Sequence, residues 1–134
     1  MEKLFNMVSC ISAGVGGALF YIFGGWDQLM IVFFYMMILD FTTGFIKGIS
    51  TKTLSSDICS KGIAKKVFYL IVIGVSNLAQ IMMNNAFPSR EMVILFFIAN
   101  EGLNILENAA AFIDIPDKLK SILLQLRNKG EGEA

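Results

Sequence analysis

Long apolar runs, separated by short polar stretches, organise this chain. Leu4 to Phe23 holds no charged residue. About 20 helical residues, rising 1.5 Å each, cross about 30 Å of hydrocarbon. Gly14, Gly16, Gly17 and Ala18 lie at the centre of this run. Gly14 and Gly17 are read as positions where a neighbouring helix approaches closely. Residues 24–28 predict a tight turn, and Trp26, the only tryptophan, sits where an interfacial aromatic belongs. Leu29 to Ile46 is a second run, broken only by Asp40. Residues 47–66 read as a basic loop, with Lys47, Lys52, Lys61, Lys65 and Lys66 against a single acid, Asp57. Val67 to Phe87 is a third run, closed by a turn at Pro88, Ser89 and Arg90.

The fourth segment, Met92 to Ile113, is interrupted by Asn100, Glu101, Asn104, Glu107 and Asn108. At 100° per residue these five fall within an arc of about 120°, which predicts an amphipathic helix. Asp114 and Pro116 mark a stop. Asp117 is then a predicted cap for a short helix with Leu119, Ile122, Leu123 and Leu126 on one face, before an acidic end at residues 130–134. The pattern predicts an all-α membrane protein. It is a single multi-pass domain over residues 1–134, with about four spans (4–23, 29–46, 67–87 and 92–113), a tail at 114–134 and an oligomeric state.

Composition agrees with that reading. Of 134 residues, 55% are hydrophobic and 16% charged, where soluble domains carry about 25% charged. The mean hydropathy is +0.65. Intrinsic disorder is excluded, and a small soluble enzyme fits poorly. There is no histidine, so neither a His-ligated metal nor a Ser-His triad is expected. Cys10 and Cys59 lack zinc-site spacing and are read as free thiols. No phosphate-loop or dinucleotide motif occurs, so no metal or cofactor is predicted. Zero net charge gives no reason to expect a nucleic-acid partner.

Charge also predicts orientation. Lys3, the five lysines of 47–66, and Lys118, Lys120, Arg127 and Lys129 fall on one side of a four-span arrangement, leaving only Arg90 on the other. The positive-inside rule puts that majority, and both chain ends, in the cytoplasm. Met7 offers a second reading of the start. Initiation there removes Glu2 and Lys3 and weakens the inner anchor of the first span; alternatively Met7 is one apolar residue among eight Met.

Ionisable side chains inside spans are functional candidates by default. Asp40 shares a helical face with Met36, Thr43, Gly44 and Lys47. Either it is satisfied by Thr43, Lys47 or the basic loop, or it faces an oligomer interface or a watery lumen. Glu101 and Glu107 are harder to place, because an acid near the centre of a lone span costs about 2.5–3.5 kcal/mol. Their face lines water, pairs with other subunits or lies at the membrane surface; otherwise it is buried by hydrogen bonds within the chain. Asp40, Asn100, Glu101, Asn104, Glu107 and Asn108 are therefore the candidate pore-lining or interface residues. Two carboxylates without a nucleophile or metal do not suggest catalysis.

Four ordered segments carry a family resemblance. Asp40 to Gly44 (DFTTG) looks like a D-x-x-T-G ending a span. Lys52 to Ser56, then Gly62 to Lys66 (GIAKK), looks like a basic loop. Asn100 to Asn108 (NEGLNILEN) looks like N-E-x-x-S-I-x-E-N, with Asn104 where Ser is usual. Ile115-Pro116, followed by Leu119, looks like I-P-x-x-L. In these the chain resembles the small phage holins of the toxin-secretion/phage-lysis family, with Asp40, Thr43, Gly44, Gly62, Lys65, Lys66 and Pro116 as motif residues. The resemblance implies a non-enzymatic protein that oligomerises in the host cytoplasmic membrane. It opens a lesion there at a set time, letting an endolysin or a toxin cross without needing to bind it. The residues alone also allow a small ion or solute channel subunit, or an antiholin-like regulator.

Overall fold

The computed structural model describes residues 1–131; the last three positions of the predicted acidic end lie outside it. All regular structure among the described residues is helical: α1 Glu2–Phe23, α2 Gln28–Thr51, α3 Ser56–Met82, α4 Ser89–Ala109 and α5 Asp117–Gly130. Three of these, α1, α2 and α4, are long and apolar enough to cross a membrane. Helix α3 is not among the three. Its uncharged stretch starts only after Lys65 and Lys66 and is broken by Ser76, Asn77 and Gln80.

The predicted loop at 47–66 is mostly helix. α2 continues to Thr51 and stops where Lys52 adopts a left-handed conformation (φ 57°). Ser55 then caps α3, its hydroxyl accepting the Ile58 amide at 3.2 Å. Three of the five lysines thus ride on the first turns of α3, where helix surface replaces the expected coil. At the far end α3 stops at Met82, short of the expected Phe87, because Asn84 and Asn85 take positive φ. Helix α4 begins at Ser89 and ends at Ala109, where 92–113 was expected. The cap of α5 is Pro116, without a side-chain bond; Asp117 is its first helical residue.

The core lies between α2, α3 and α4. Met30, Phe33 and Met37 recur at helical spacing on α2, facing Tyr69 and Ile73 of α3 and Ile94, Phe97 and Ile98 of α4. Phe33, Tyr69 and Phe97 meet as one aromatic group, with Tyr69 and Phe97 stacked at 4.1 Å between centroids. Helix α1 buries no residue. It touches the bundle near its C-terminal end, where Ile22 packs against Gly74 of α3. Helix α5 folds back along α4, antiparallel to it, with Leu123 against Gly102 and Gly130 against Phe96.

Candidate functional site

The polar groups of α2, α3 and α4 meet in two places, one near each end of the bundle. The first is centred on Lys66. Its Nζ donates to Asp40 Oδ2 at 2.7 Å and to Glu101 Oε2 at 2.5 Å. Asn108 Nδ2 donates to Thr43 Oγ1 at 3.1 Å and approaches Asp40 Oδ1 at 3.5 Å. Gly44, one residue on from Thr43, lies beside that amide: a Cβ there would make an ordinary contact, 3.5 Å from Asn108 Nδ2. One ammonium thus joins carboxylates from two other helices. Glu101 is fully buried, and its Oε1 has no partner among the described residues. Neighbouring Lys65 points elsewhere, its Nζ 5.6 Å from the Tyr69 ring.

The second place is centred on Arg90, 2% exposed. Its guanidinium forks onto Asp27, Nη1 to Oδ2 at 2.8 Å and Nη2 to Oδ1 at 3.0 Å. Its Nε donates to the Phe23 carbonyl and its Nη2 to that of Gly25. Asn77 of α3 donates to the carbonyls of Tyr21 and Ile22. The free carbonyls ending α1 are therefore capped by α3 and α4. Gly24 permits the approach: it holds φ +78°, and a Cβ there would stand 2.5 Å from Asn77 Oδ1. Asp27 also accepts the Met30 amide as the cap of α2. Hydrogen bonding from Arg90 holds the Asp27 carboxyl below its usual pKa.

The predicted stripe on α4 is divided by this arrangement. Glu101 and Asn108 turn inward to Lys66, Asp40 and Thr43. Asn100, Asn104 and Glu107 lie on the adjoining flank, and none has a side-chain hydrogen bond among the described residues; Glu107 is exposed. Asp40 was expected to be satisfied by Thr43, Lys47 or the basic stretch 47–66, or else to face an interface or a lumen; its cation is Lys66, the last residue of that stretch. What differs from expectation is that Lys66 sits on a helix, α3, and not in a loop. Gly62 and Pro116 join neither cluster. Gly14 and Gly17 have nothing within 4 Å, so the close helix approach predicted there does not occur within the chain. Both cysteines are free, Cys10 exposed and Cys59 half-buried.

Arg90, Asp27 and Asn77 were absent from the sequence-derived candidates. A signal existed: an acid at the start of one span and a lone base at the start of another, both at turns on the same side. The division of the stripe has a testable consequence. Glu107→Ala is expected to change stability by less than about 0.5 kcal/mol, as an exposed site. Glu101→Ala is expected to lower it by about 1–3 kcal/mol by stripping a buried acceptor from Lys66. Thermal unfolding of the two variants in detergent checks this; equal melting points would contradict it.

A model of the bacteriophage holin family matches residues 17–128. An uncharacterized 14.9 kDa protein of Clostridium perfringens is 40% identical over 131 residues, covering 96% of this chain and 99% of its own. A second uncharacterized Clostridium perfringens protein is 41% identical over 129 residues, covering 92% and 96%. One from Listeria monocytogenes is 33% identical over 122 residues, covering 90% and 87%. No solved structure matches the chain. With the family match extending from the last third of α1 almost to the end of α5, over a bundle that leaves α1 unburied, this membrane protein belongs to the bacteriophage holin family.

Proposed function

We propose that the chain assembles with copies of itself in the bacterial cytoplasmic membrane and opens a lesion that lets a folded endolysin, or a toxin, reach the far side. One observation carries this reading. Helix α4 bears polar side chains on two faces at membrane depth, and only the Glu101–Asn108 face is satisfied within the chain. Asn100, Asn104 and Glu107 need water or another subunit, since unpaired polar groups are unfavourable in hydrocarbon. The unburied apolar length of α1 supplies surface for lipid or for neighbouring copies.

All of α1 to α4 cross the bilayer in this proposal. Inclusion of α3 is supported by Lys66, which reaches Asp40 and Glu101 from between α2 and α4. The lysine-rich turn at 47–66 and the N-terminus face the cytoplasm, and the Arg90–Asp27 pair faces out.

The test is timed expression in cells carrying an endolysin that has no export route of its own. Abrupt, endolysin-dependent lysis is expected. Ion leak without enzyme release would replace the lesion with a narrow channel, and neither effect would leave a regulatory role. Before lysis, a membrane-impermeant thiol reagent should fail to label Cys59 from outside. Early external labelling would overturn the orientation.

A further inference from the structure

The position of α5 is hard to reconcile with a lipid-facing α4. Helix α4 is one of the three candidate spans. α5 starts beyond its C-terminal end and runs back beside it until Gly130 meets Phe96. From Ala109 to Phe96 is ~20 Å of helix at 1.5 Å per residue, about two-thirds of a hydrocarbon core. Along that length α5 carries Lys118 and Lys120 near the end of α4 and Arg127 and Lys129 at the deep end, and the three lysines are exposed. Cations at such depth in lipid are strongly unfavourable, and four on one short helix exclude hydrocarbon around it. The opposite side of α4 is filled by α2 and α3, so the water must lie on the α5 side.

A separate observation agrees. The α4 flank left unpaired by the Lys66 cluster adjoins α5. Glu107 of α4 shares a cleft of about 250 Å³ with Asp114, Asp117 and Lys120. By contrast, the outward residues of α2 are apolar: Tyr35, Ile38, Phe41, Phe45 and Ile46 are exposed. The subunit therefore has a lipid side and a wet side.

We propose that α5 stays docked along α4 inside the membrane and turns its lysines to water, so that the α4–α5 hairpin, with Glu107, Asp114 and Asp117 beside those lysines, forms a charged, water-facing wall of the lesion. This rests on the lytic reading above and departs from a tail left in the cytoplasm. Leu123 packs against Gly102 of α4, Leu124 and Leu126 are half-buried, and the charged face does the lining.

The experiment uses the full chain in bacterial membranes, with Cys10→Ser and Cys59→Ser as background. Phe96→Cys and Gly130→Cys together place a thiol pair at the deep end of the hairpin; the last turn of α5 has to ease outward, since a Cβ at Gly130 would stand 2.5 Å from that of Phe96. With a membrane-permeant oxidant, most of the chain is expected to form the intramolecular disulfide and to lyse cells at the time of the reduced chain. Chains with either cysteine alone, oxidised equally, control for the oxidant. Lys129→Cys, made separately, is expected to react with a water-soluble maleimide in opened membranes. The proposal is overturned if the disulfide does not form in membranes, if residue 129 is shielded, or if the disulfide stops lysis until reductant is added. The last result would make α5 a cover that must leave. Failure of the reduced chain to lyse defeats the lytic reading instead, while the disulfide and residue 129 still decide where α5 lies.

Discussion

Lys66→Met is expected to destabilise the bundle by about 3–5 kcal/mol, the usual scale when one partner of a buried ion pair is removed. The substitution keeps the length and apolar stem of the side chain, so packing against α2 and α4 changes little. What disappears is the ammonium between Asp40 and Glu101. Two carboxylates from different helices then face each other without a cation, and Glu101 is fully buried. The loss is expected to appear in thermal unfolding in detergent, followed by Trp26 fluorescence. Adding Asp40→Asn and Glu101→Gln to Lys66→Met should recover most of it, because the unpaired charges go with the cation. If Lys66→Met melts with the parent, the cluster does not hold the three helices together. If the triple variant is no better than the single, the effect was packing and not charge.

Arg90→Met is expected to cost about 3 kcal/mol and to act mainly on α1. The guanidinium holds Asp27 through a paired contact and also caps the carbonyls of Phe23 and Gly25. Without it, Asp27 and the end of α1 lose their partners together. Amide exchange at residues 20–27 should accelerate much more than exchange in the α2–α4 core. Arg90→Lys should recover only part of the effect, since one ammonium does not reproduce the fork. Acid tests the same contact without mutation. The Asp27 pKa is depressed from 3.8 in the folded protein, so its contribution is complete above 3.8 and falls as pH drops through the lower folded value. Faster exchange at residues 20–27 should therefore set in only below about pH 4, and Arg90→Met should show no such added step. Protection of those residues that is equal in parent and variant at neutral pH would contradict the assignment.

Much of the helical order was legible in the chain itself. Apolar runs of membrane length, the Gly24–Asp27 turn, the restart at Pro116 and the amphipathic period of the final helix each set a local element, because burial period and turn chemistry are properties of neighbouring residues. The lysine distribution suggested one cytoplasmic side for the same kind of reason. Element ends were less legible. Serine- and lysine-rich sequence at 47–66 looked like a loop, yet a cap at Ser55 makes most of it helix, since solvated polar residues are compatible with either state.

Partner choice was decided only by tertiary structure. A helical wheel groups Asn100, Glu101, Asn104, Glu107 and Asn108 on one face, but it carries no information about what stands opposite. Packing against α2 and α3 turns Glu101 and Asn108 toward Lys66 and Thr43 and leaves the other three on the flank. Lys66, 26 residues after Asp40 and 35 before Glu101, joins them because α3 lies between their helices. Arg90 meets Asp27 across 63 residues for the same reason. Local sequence determined which segments form helices and which of their faces are apolar. Only the three-dimensional crossing of those helices decided which buried charges are neutralised, because an ion pair depends on distance in space and not on separation along the chain.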